Sequence, residues 1–276
     1  MDIAFIVPTK YLNEYESEGT ISFVEALPYL EDSDYRNYYL EKKAEGKFTI
    51  LDNSMFLRDE PLEDKMLIQV MKDLKPNIII APDTAEGWKE SIQRTEEFLK
   101  TFRKARIKFD IQIMGVLHGT NLSECAVCCD ILLSHFKEIT AIGIPYITWK
   151  ENKDRPLQEL AKFRLTLTDF LDFNEYITSI KRDIYVHLLG TSDPVAELPN
   201  QLKHEWIRSV DSASAFTLGY NNIKLTSKGW PEFKRELKKV DFTSDMKLRG
   251  KKKKIIEHNI STYKMLIRSN TNKQEN

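Results

Sequence analysis

The sequence contains too few cysteines for a disulfide-stabilised fold. Cys125, Cys128 and Cys129 are the only three in 276 residues, and an odd, clustered set does not form a disulfide framework. They fall at the i, i+3 and i+4 positions of an apolar stretch. We interpret them as small buried side chains rather than metal ligands, because no fourth ligand is evident. The expectation is a protein of the reducing cytoplasm.

Long apolar runs and secretion signals are lacking as well. No stretch approaches the roughly 18–20 apolar residues that span a bilayer. The first ten residues have neither a basic start nor an apolar core long enough for a signal peptide. No Gly-x-Gly-x-x-Gly follows the first apolar run, which removes the main support for a dinucleotide-binding fold. We therefore expect no contact with a membrane.

The charges that are present are unevenly distributed. The whole chain has 41 basic and 42 acidic side chains, but residues 224–276 contain 15 basic and 6 acidic ones. Six of these basic residues lie between Lys247 and Lys254. Such a split predicts a polyanion-binding segment on an acidic body, with a solvated charge run as the alternative. With 41% hydrophobic residues the chain can bury a large core.

Short apolar runs alternate with amphipathic stretches along most of the chain. The runs are rich in Ile and Val without strict polar alternation, which is typical of parallel strands covered on both faces. Alternating strands and helices favour a (β/α)₈ barrel over an open doubly wound sheet. We predict strands over 3–7, 48–51, 78–81, 111–116, 139–144, 184–189 and 206–210, with an eighth near 215–218. Helices are predicted over 63–74, 88–104, 123–136, 156–170 and 255–267.

This interpretation divides the chain into two parts. Residues 1–223 form the barrel domain, and residues 224–276 form a basic helical extension that packs on the barrel and ends in frayed residues.

Polar residues follow the predicted strands at the end where barrel enzymes place their chemistry. These segments are Asp52-Asn53-Ser54, Asp83-Thr84, His118-Gly119, Gly143-Ile144-Pro145, Gly190-Thr191-Ser192 and Asp211-Ser212. Carboxylates at one mouth can serve as nucleophile and as general acid or base, as in retaining glycosyl transfer. Each Asp alone is equally well explained as a helix N-cap. Three carboxylates together favour a functional site.

Two neighbouring features have less specific explanations. His187 lies within a predicted strand and is interpreted as structural. The segment from Gly190 to Pro194 is either a phosphate-binding loop or a plain strand-to-helix turn.

The strand-end segments resemble the tRNA-guanine transglycosylase superfamily, base-exchange enzymes built on a (β/α)₈ barrel. Six short matches occur in the right order over about residues 48–215. They are Leu51-Asp-Asn-Ser with Thr-Asp-Ser-Gly-Gly, Ala81-Pro-Asp-Thr with Phe-Asp-Glu, Gly115-Val-Leu-His-Gly with Gly-Val-Val-Gln-Gly, Ala141-Ile-Gly-Ile with Ala-Ile-Gly-Gly-Leu, Leu188-Leu-Gly-Thr-Ser-Asp-Pro with Leu-Met-Gly-Val-Gly-x-Pro, and Ser209-Val-Asp-Ser with Met-Phe-Asp-Cys.

The resemblance implies a pentosyltransferase with defined residue roles and no metal, ATP or redox cofactor. Asp211 would be the nucleophile at C1′ of the nucleotide, and Asp52 the general acid/base. The implied base-binding residues are Asp83, His118, Asn53 and the backbone of Gly143 and Ile144. The implied clamp for nucleic-acid phosphates is Lys251, Lys252, Lys253 and Lys254.

Departures from the family narrow the expected substrate. His118 stands where the family usually has Gln, and Asn53-Ser54 replaces its Ser-Gly-Gly. No cysteine follows Cys129, so the Cys-x-Cys-x-x-Cys zinc site of the tRNA enzymes is missing. The chain therefore resembles the compact branch that inserts 7-deazaguanines into DNA in phages and bacterial modification islands.

We accordingly expect exchange of guanine for a preQ0-type base, with DNA favoured over tRNA as the polymer. The setting would be the cytoplasm, or the host cytoplasm for a phage protein. A tRNA enzyme, a catalytically silent nucleic-acid-binding barrel and a barrel hydrolase are the alternatives, and the oligomeric state stays open.

Overall fold

Eight parallel strands form one sheet that curls into a nearly closed barrel. The structure, a computed structural model, describes residues 1–55, 60, 62–84, 86–148, 155–180, 182–226, 240, 242 and 246–268. The strands are β1 (Asp2–Phe5), β2 (Ser22–Glu25), β3 (Thr49–Asp52), β4 (Ile78–Ile80), β5 (Gln112–Val116), β6 (Ile139–Pro145), β7 (Tyr185–Leu189) and β8 (Ile207–Ser212). In the order β1-β8-β7-β6-β5-β4-β3-β2, the first two strands are the two edges of the sheet. Curling of the sheet brings these edges together.

The barrel closes between β1 and β2 through a short contact rather than a full ladder. The Ile3 carbonyl accepts hydrogen bonds from the N–H groups of Thr20 and Ile21 at 2.8 and 3.3 Å. All other neighbours pair in parallel register. The (β/α)₈ barrel predicted from the alternation of strands and helices is thus confirmed.

Helices follow the strands and cover the outside of the barrel. Within the described ranges they are α1 (Leu12–Tyr15), α2 (Ala26–Glu31), α3 (Ser33–Ala44), α4 (Asp64–Leu74), α5 (Trp88–Lys104), α6 (Leu122–His135), α7 (Leu157–Phe173), α8 (Pro194–Gln201), α9 (Ser214–Tyr220) and α10 (Gly250–Arg268). Short 3₁₀ turns flank α1. Helices α4 to α7 confirm the predicted ones to within three residues at each end.

The prediction of the eighth strand was wrong. Residues 215–218 lie in helix α9, because a four-residue apolar run carries no periodicity that distinguishes a strand from a buried helix turn. The strand that completes the barrel is β2, near the start of the chain, which the sequence analysis did not identify. It has only four residues and runs directly into α2, so no turn signal separates the two elements.

Alternate residues of each strand point into the barrel, as the pleat of a strand requires. Apolar side chains such as Ala4, Ile50, Ile78, Met114 and Ala141 pack there as one cluster. The opposite faces pack against the helices in a larger core. The inward positions nearest the carboxyl ends of the strands are therefore free to carry polar groups at the mouth.

Helix α10 docks on the barrel beside α9. A Cβ on Gly219 would lie 2.8 Å from the Ile256 backbone nitrogen, so only glycine permits this approach. The Asn259 side chain accepts a hydrogen bond from Leu225 N–H at 2.8 Å and donates one to the Ile223 carbonyl at 3.0 Å.

Helix α10 begins earlier than the predicted helix over 255–267, at Gly250 rather than residue 255, because the lysine run is itself helical. The expected frayed end, residues 269–276, lies outside the described residues. None of the helices described here has the length and apolar character needed to cross a membrane.

Candidate active site

Asp211 lies at the end of β8 with one carboxylate oxygen anchored. Its Oδ1 accepts a hydrogen bond from Gly190 N–H at 2.9 Å and lies 3.0 Å from His187 Nε2. Asp211 is not the N-cap of α9, because that position is Ala213 and the Ser214 N–H donates to Ser212 Oγ. The N-cap explanation is therefore ruled out for Asp211, whose hydrogen-bonding partners among the described residues meet Oδ1.

His187 connects Asp211 to a chain of hydroxyl groups inside the barrel. His187 Nδ1 lies 2.6 Å from Ser209 Oγ, and Tyr185 OH donates to the same oxygen at 2.8 Å. One proton arrangement satisfies every member: Tyr185 donates to Ser209, Ser209 to Nδ1, and Nε2–H to Asp211. In that arrangement His187 donates to Asp211 Oδ1, the oxygen that also accepts from Gly190 N–H.

Packing fixes the His187 ring in this chain. The ring is fully buried and stacks on Phe23 with centroids 5.7 Å apart and an interplanar angle of 12°. Sequence reasoning interpreted His187 as structural and did not connect it to Asp211. The signal that would have found it is strand parity, because His187 and Asp211 are both inward-facing residues of adjacent strands.

Asp52 and Glu25 form a second part of the mouth, on β3 and β2. They end the neighbouring strands β3 and β2 and are paired in register. Burial raises the pKa of Asp52 from near 3.8 to about 7; the Ser54 N–H bond, at 2.7 Å, lowers it, and the charges of Asp83 and Asp211 raise it further. Asp52 therefore exchanges a proton near neutral pH, as a general acid/base requires.

Glu25 is a fourth carboxyl group of this mouth that the sequence analysis missed. Burial, followed by the charges of Asp52 and Asp211, raises its pKa from near 4.5 to about 8. Its backbone N–H donates to Tyr35 OH at 3.0 Å. Within the described part of the chain, no donor hydrogen-bonds the Glu25 carboxyl group. A short apolar run ending in an acidic residue, Ile21 to Glu25, was the available signal.

Ser54 joins the β3 end of this side to α2. Its backbone is left-handed, with φ of 62°, a conformation that favours glycine. Its hydroxyl accepts a hydrogen bond from Leu27 N–H at 2.9 Å. The serine therefore follows a glycine-like path at a position where the resembled family has glycine.

Asp83 and His118 form a second buried polar pair, beyond β4 and β5. Asp83 Oδ2 lies 2.7 Å from His118 Nε2, and Asp83 Oδ1 accepts from the Asn53 amide at 2.8 Å. The Thr148 carbonyl lies 3.1 Å from His118 Nδ1, and a carbonyl can only accept, so Nδ1 carries a hydrogen. A proton is therefore also shared between His118 Nε2 and Asp83.

Asn53 is fully engaged within the protein. Besides Asp83, its amide nitrogen donates to the Ala81 carbonyl at 2.9 Å, and its Oδ1 accepts from Met55 N–H at 2.9 Å. The structure thus places Asn53 as the residue that orients Asp83. A direct contact between Asn53 and a bound base stays a prediction.

Gly143 and Ile144 lie in β6 with their carbonyl groups already paired. The Gly143 carbonyl accepts from Leu117 N–H at 2.9 Å, and the Ile144 carbonyl accepts from Arg164 at 3.0 Å. A Cβ on Gly143 would lie 2.7 Å from Leu189 Cδ1, so glycine here makes room for Leu189 inside the barrel. Contact of this backbone with a base likewise stays a prediction.

Two of the four lysines of the run 251–254 contact the protein itself. The Lys252 ammonium lies 3.8 Å from the Tyr220 ring centroid, and Lys253 forms an ion pair with Glu14 at 2.8 Å. The outer two, Lys251 and Lys254, are exposed. Contact of this run with phosphates stays a prediction, and its outer members are the exposed ones.

The segment from Gly190 to Pro194 has the local geometry of a strand-to-helix turn, and phosphate binding there stays an open alternative. Asp193 caps α8 by accepting from the N–H groups of Val195 and Ala196, each at 3.2 Å, with Pro194 in the first turn. Ser192 within the segment is fully buried.

The cysteine cluster behaves as buried apolar packing. All three are fully buried, and burial raises the pKa values of the Cys125 and Cys128 thiols to about 12. Over the residues that the structure describes, no three His, Cys, Asp or Glu side chains are grouped to hold a metal ion.

Comparisons with known proteins add no family. No protein-family model matches the chain, and no curated protein matches it. The functional argument therefore rests on the geometry of the mouth.

Proposed function

We propose that the chain is a base-exchange transglycosylase that replaces guanine in DNA with a 7-deazaguanine of the preQ0 type. The observation that carries the proposal is the contrast between two carboxyl groups at one barrel mouth. Asp211 Oδ1 accepts a hydrogen bond from Gly190 N–H and lies 3.0 Å from His187 Nε2, whereas Asp52 has a pKa of about 7. A retaining glycosyl transfer needs this combination of a nucleophile and a proton-exchanging acid.

The reaction divides into two displacements at one carbon atom. Asp211 Oδ2 attacks C1′, the bond from C1′ to the base breaks, and the Asp52 carboxyl group gives its proton to the departing base. The incoming base then attacks C1′, the ester bond to Asp211 breaks, and Asp52 takes the proton from the ring nitrogen that has bonded. Two inversions retain the configuration, and the polymer backbone stays intact.

Asp83 and His118 are suited to recognise the edge of a purine. Asp83 Oδ1 accepts one hydrogen bond from Asn53, Oδ2 shares a proton with His118, and each oxygen keeps a further acceptor position. The buried pair is rigid, because Asn53 and the Thr148 carbonyl fix it from both sides. The N–H groups of a guanine-type base would donate to Asp83.

A nucleotide in a duplex reaches this mouth only after leaving the base stack. Flipping it out costs a few kcal/mol, and contacts to phosphates from Lys251 and Lys254 would offset part of that cost. The absence of any cysteine after Cys129 supports DNA over tRNA, because the tRNA enzymes of the resembled superfamily use such cysteines for zinc.

The proposal is tested with radiolabelled guanine and preQ0. Each is incubated with the protein and either duplex DNA, single-stranded DNA or tRNA, and label in the polymer is counted. We expect incorporation into DNA. Label in tRNA alone would show that the polymer is wrong. Release of unlabelled guanine without incorporation would identify a hydrolase, and no reaction with any polymer would favour a silent binding barrel.

A further inference from the structure

Arg164 on helix α7 is a fully buried arginine outside the barrel wall. Its Nε donates to the carboxylate of Glu197, which is also fully buried. Its Nη1 donates to the carbonyl groups of Ile144 and Leu189, both at 3.0 Å, and its Nη2 donates to the Gly190 carbonyl at 2.8 Å. The guanidinium group thus donates hydrogen bonds to three carbonyl groups at the ends of β6 and β7.

One of these carbonyls belongs to the peptide group that holds Asp211. The Leu189 oxygen and the Gly190 N–H are the two ends of a single planar peptide. Arg164 binds the oxygen at 3.0 Å, and the N–H donates to Asp211 Oδ1 at 2.9 Å. Because the peptide is rigid, fixing its oxygen also fixes the direction of its N–H.

The Leu189 oxygen also accepts a hydrogen bond from Tyr146 N–H at 3.3 Å, longer than the 3.0 Å bond from Arg164. Gly190 has φ of 67°, in the left-handed region, and a Cβ there would lie 2.7 Å from Tyr146 Cε1. The position therefore requires glycine. A charged donor on the carbonyl also polarises the peptide, which strengthens the hydrogen bond made by its N–H.

We propose that Arg164 is a positioning residue for the nucleophile Asp211, acting from outside the barrel through the Leu189–Gly190 peptide. This inference rests on the proposed function for its kinetic consequence, but not for its structural one. Arg164 and His187 hold the same oxygen, Oδ1, from two directions. The aim of Oδ2 towards C1′ is set by both.

Arginine is suited to this role because its planar fork can bind several carbonyls at once, whereas a lysine would reach fewer of them. A purely structural role, joining α7 to α8 through the ion pair with Glu197, is the competing explanation. Buried ion pairs are often replaceable by apolar residues without loss of stability. The double variant Arg164→Met with Glu197→Leu therefore removes the fork without leaving an unpaired buried charge.

A spectroscopic experiment tests the structural part without any need for activity. Labelling with ¹³C-carbonyl leucine and ¹⁵N-glycine selects the Leu-Gly bonds, of which the sequence has two, at Gly190 and Gly219. In the double variant we expect the Gly190 amide resonance to shift and its hydrogen exchange to quicken about tenfold. The Gly219 resonance, on helix α9, should stay in place. Lys162→Met, an exposed position on α7, is the matched control.

A kinetic experiment tests the functional part. The single-turnover rate of adduct formation on Asp211 should fall about 10- to 100-fold in the double variant, with little change in the KM for the free base. Arg164→Lys should fall between it and the wild type. An unchanged Gly190 resonance would overturn the inference, and so would a shifted resonance with a wild-type adduct rate. If the wild-type protein exchanges no base, the proposed function fails, while the Gly190 resonance still decides whether Arg164 holds that peptide.

Discussion

The two sides of the barrel mouth surround their carboxyl groups with different neighbours. On the β7–β8 side, Asp211 receives donors from His187 and from Gly190 N–H. On the β2–β3 side, Asp52 and Glu25 stand next to other carboxyl groups, and burial with neighbouring charge raises their pKa values to about 7 and about 8.

Asp211 has two hydrogen-bonding groups on Oδ1, whereas Asp52 accepts from backbone N–H groups and the Glu25 carboxyl group has no donor among the described residues. Burial disfavours an ion, so burial, neighbouring carboxyl groups and few donors together explain the raised pKa values of Asp52 and Glu25. Removing either the donors of Asp211 or the neighbouring carboxyl groups should therefore reduce this difference between the two sides of the mouth. The expected effects on rate and stability differ in size.

The largest effect is expected from removing the Asp211 carboxyl group. Asp211→Ala should lower base exchange by roughly 10⁴- to 10⁶-fold and abolish the covalent adduct, because no other described group is held as a nucleophile at C1′. Denaturing electrophoresis of protein incubated with labelled DNA measures the adduct. Asp183→Asn, an exposed aspartate before β7, is the control. Adduct formation by the Asp211 variant would show that the nucleophile lies elsewhere.

A smaller loss of exchange rate is expected from replacing Asp52. Asp52→Asn should slow exchange about 10²- to 10⁴-fold, the range for a general acid/base. In the wild type, the rate of adduct formation should fall as pH rises through about 7, where Asp52 loses its proton. That alkaline limb should be missing in the variant. A pH–rate profile of single-turnover exchange measures both effects, and a limb that persists would assign the proton to another group.

A still smaller loss of rate is expected from removing one hydrogen-bond donor of Asp211. His187→Gln disrupts the chain from Tyr185 to Asp211 and should slow adduct formation about 10- to 100-fold. His204→Gln is the matched control, since His204 is also buried but bonds Asp169 on helix α7 at 3.0 Å. Stopped-flow or quench measurements of the adduct compare the two. Equal rates in both variants would remove His187 from the site.

The smallest effect concerns stability and needs no substrate. The unfolded Glu25 loses its proton above about 4.5, whereas the folded one keeps it until about 8. The folded state binds more protons in that window, so the free energy of unfolding falls as pH rises from 5 to 8. Glu25→Gln should remove this fall and exceed the wild type by more than about 1 kcal/mol at pH 8, as one pKa unit is about 1.4 kcal/mol.

Urea unfolding at pH 5 and pH 8 measures the difference for Glu25→Gln. Glu31→Gln, exposed at the end of α2, is the control and should show the wild-type dependence on pH. A Glu25 variant with an unchanged pH dependence would mean that Asp52, Asp211 and Tyr35, the groups around Glu25, leave its carboxyl group normally ionised.

The barrel was predictable because its strands leave a strong signal in the sequence. Runs such as Ile78 to Ala81 are apolar throughout, and the helix over Trp88–Lys104 has the periodicity of an amphipathic helix. Polar residues at the strand ends then placed Asp52, Asp83, His118 and Asp211 at one mouth, where the structure has them.

The rest of the site depends on contacts that a single sequence does not display. Glu25 was missed because its strand is short and joins α2 without a turn. The tie between Asn53 and Asp83 depends on the separation of two loops in space. Arg164 acts on Asp211 only through the Leu189–Gly190 peptide, and Leu189 lies 25 residues away in the sequence. Nothing in the sequence around Arg164 indicates this contact.

The contact of Tyr263 with the barrel has a consequence for the order of synthesis. The Tyr263 hydroxyl group lies 2.7 Å from Thr191 Oγ1 and 2.9 Å from Ser212 Oγ, the residue directly after Asp211. Tyr263 follows Ser212 by 51 residues. A growing chain on the ribosome can thus complete all eight strands before the loops around Asp211 have their hydrogen bonds to Tyr263. These hydrogen bonds form only after helix α10 has been synthesised and has docked on the barrel.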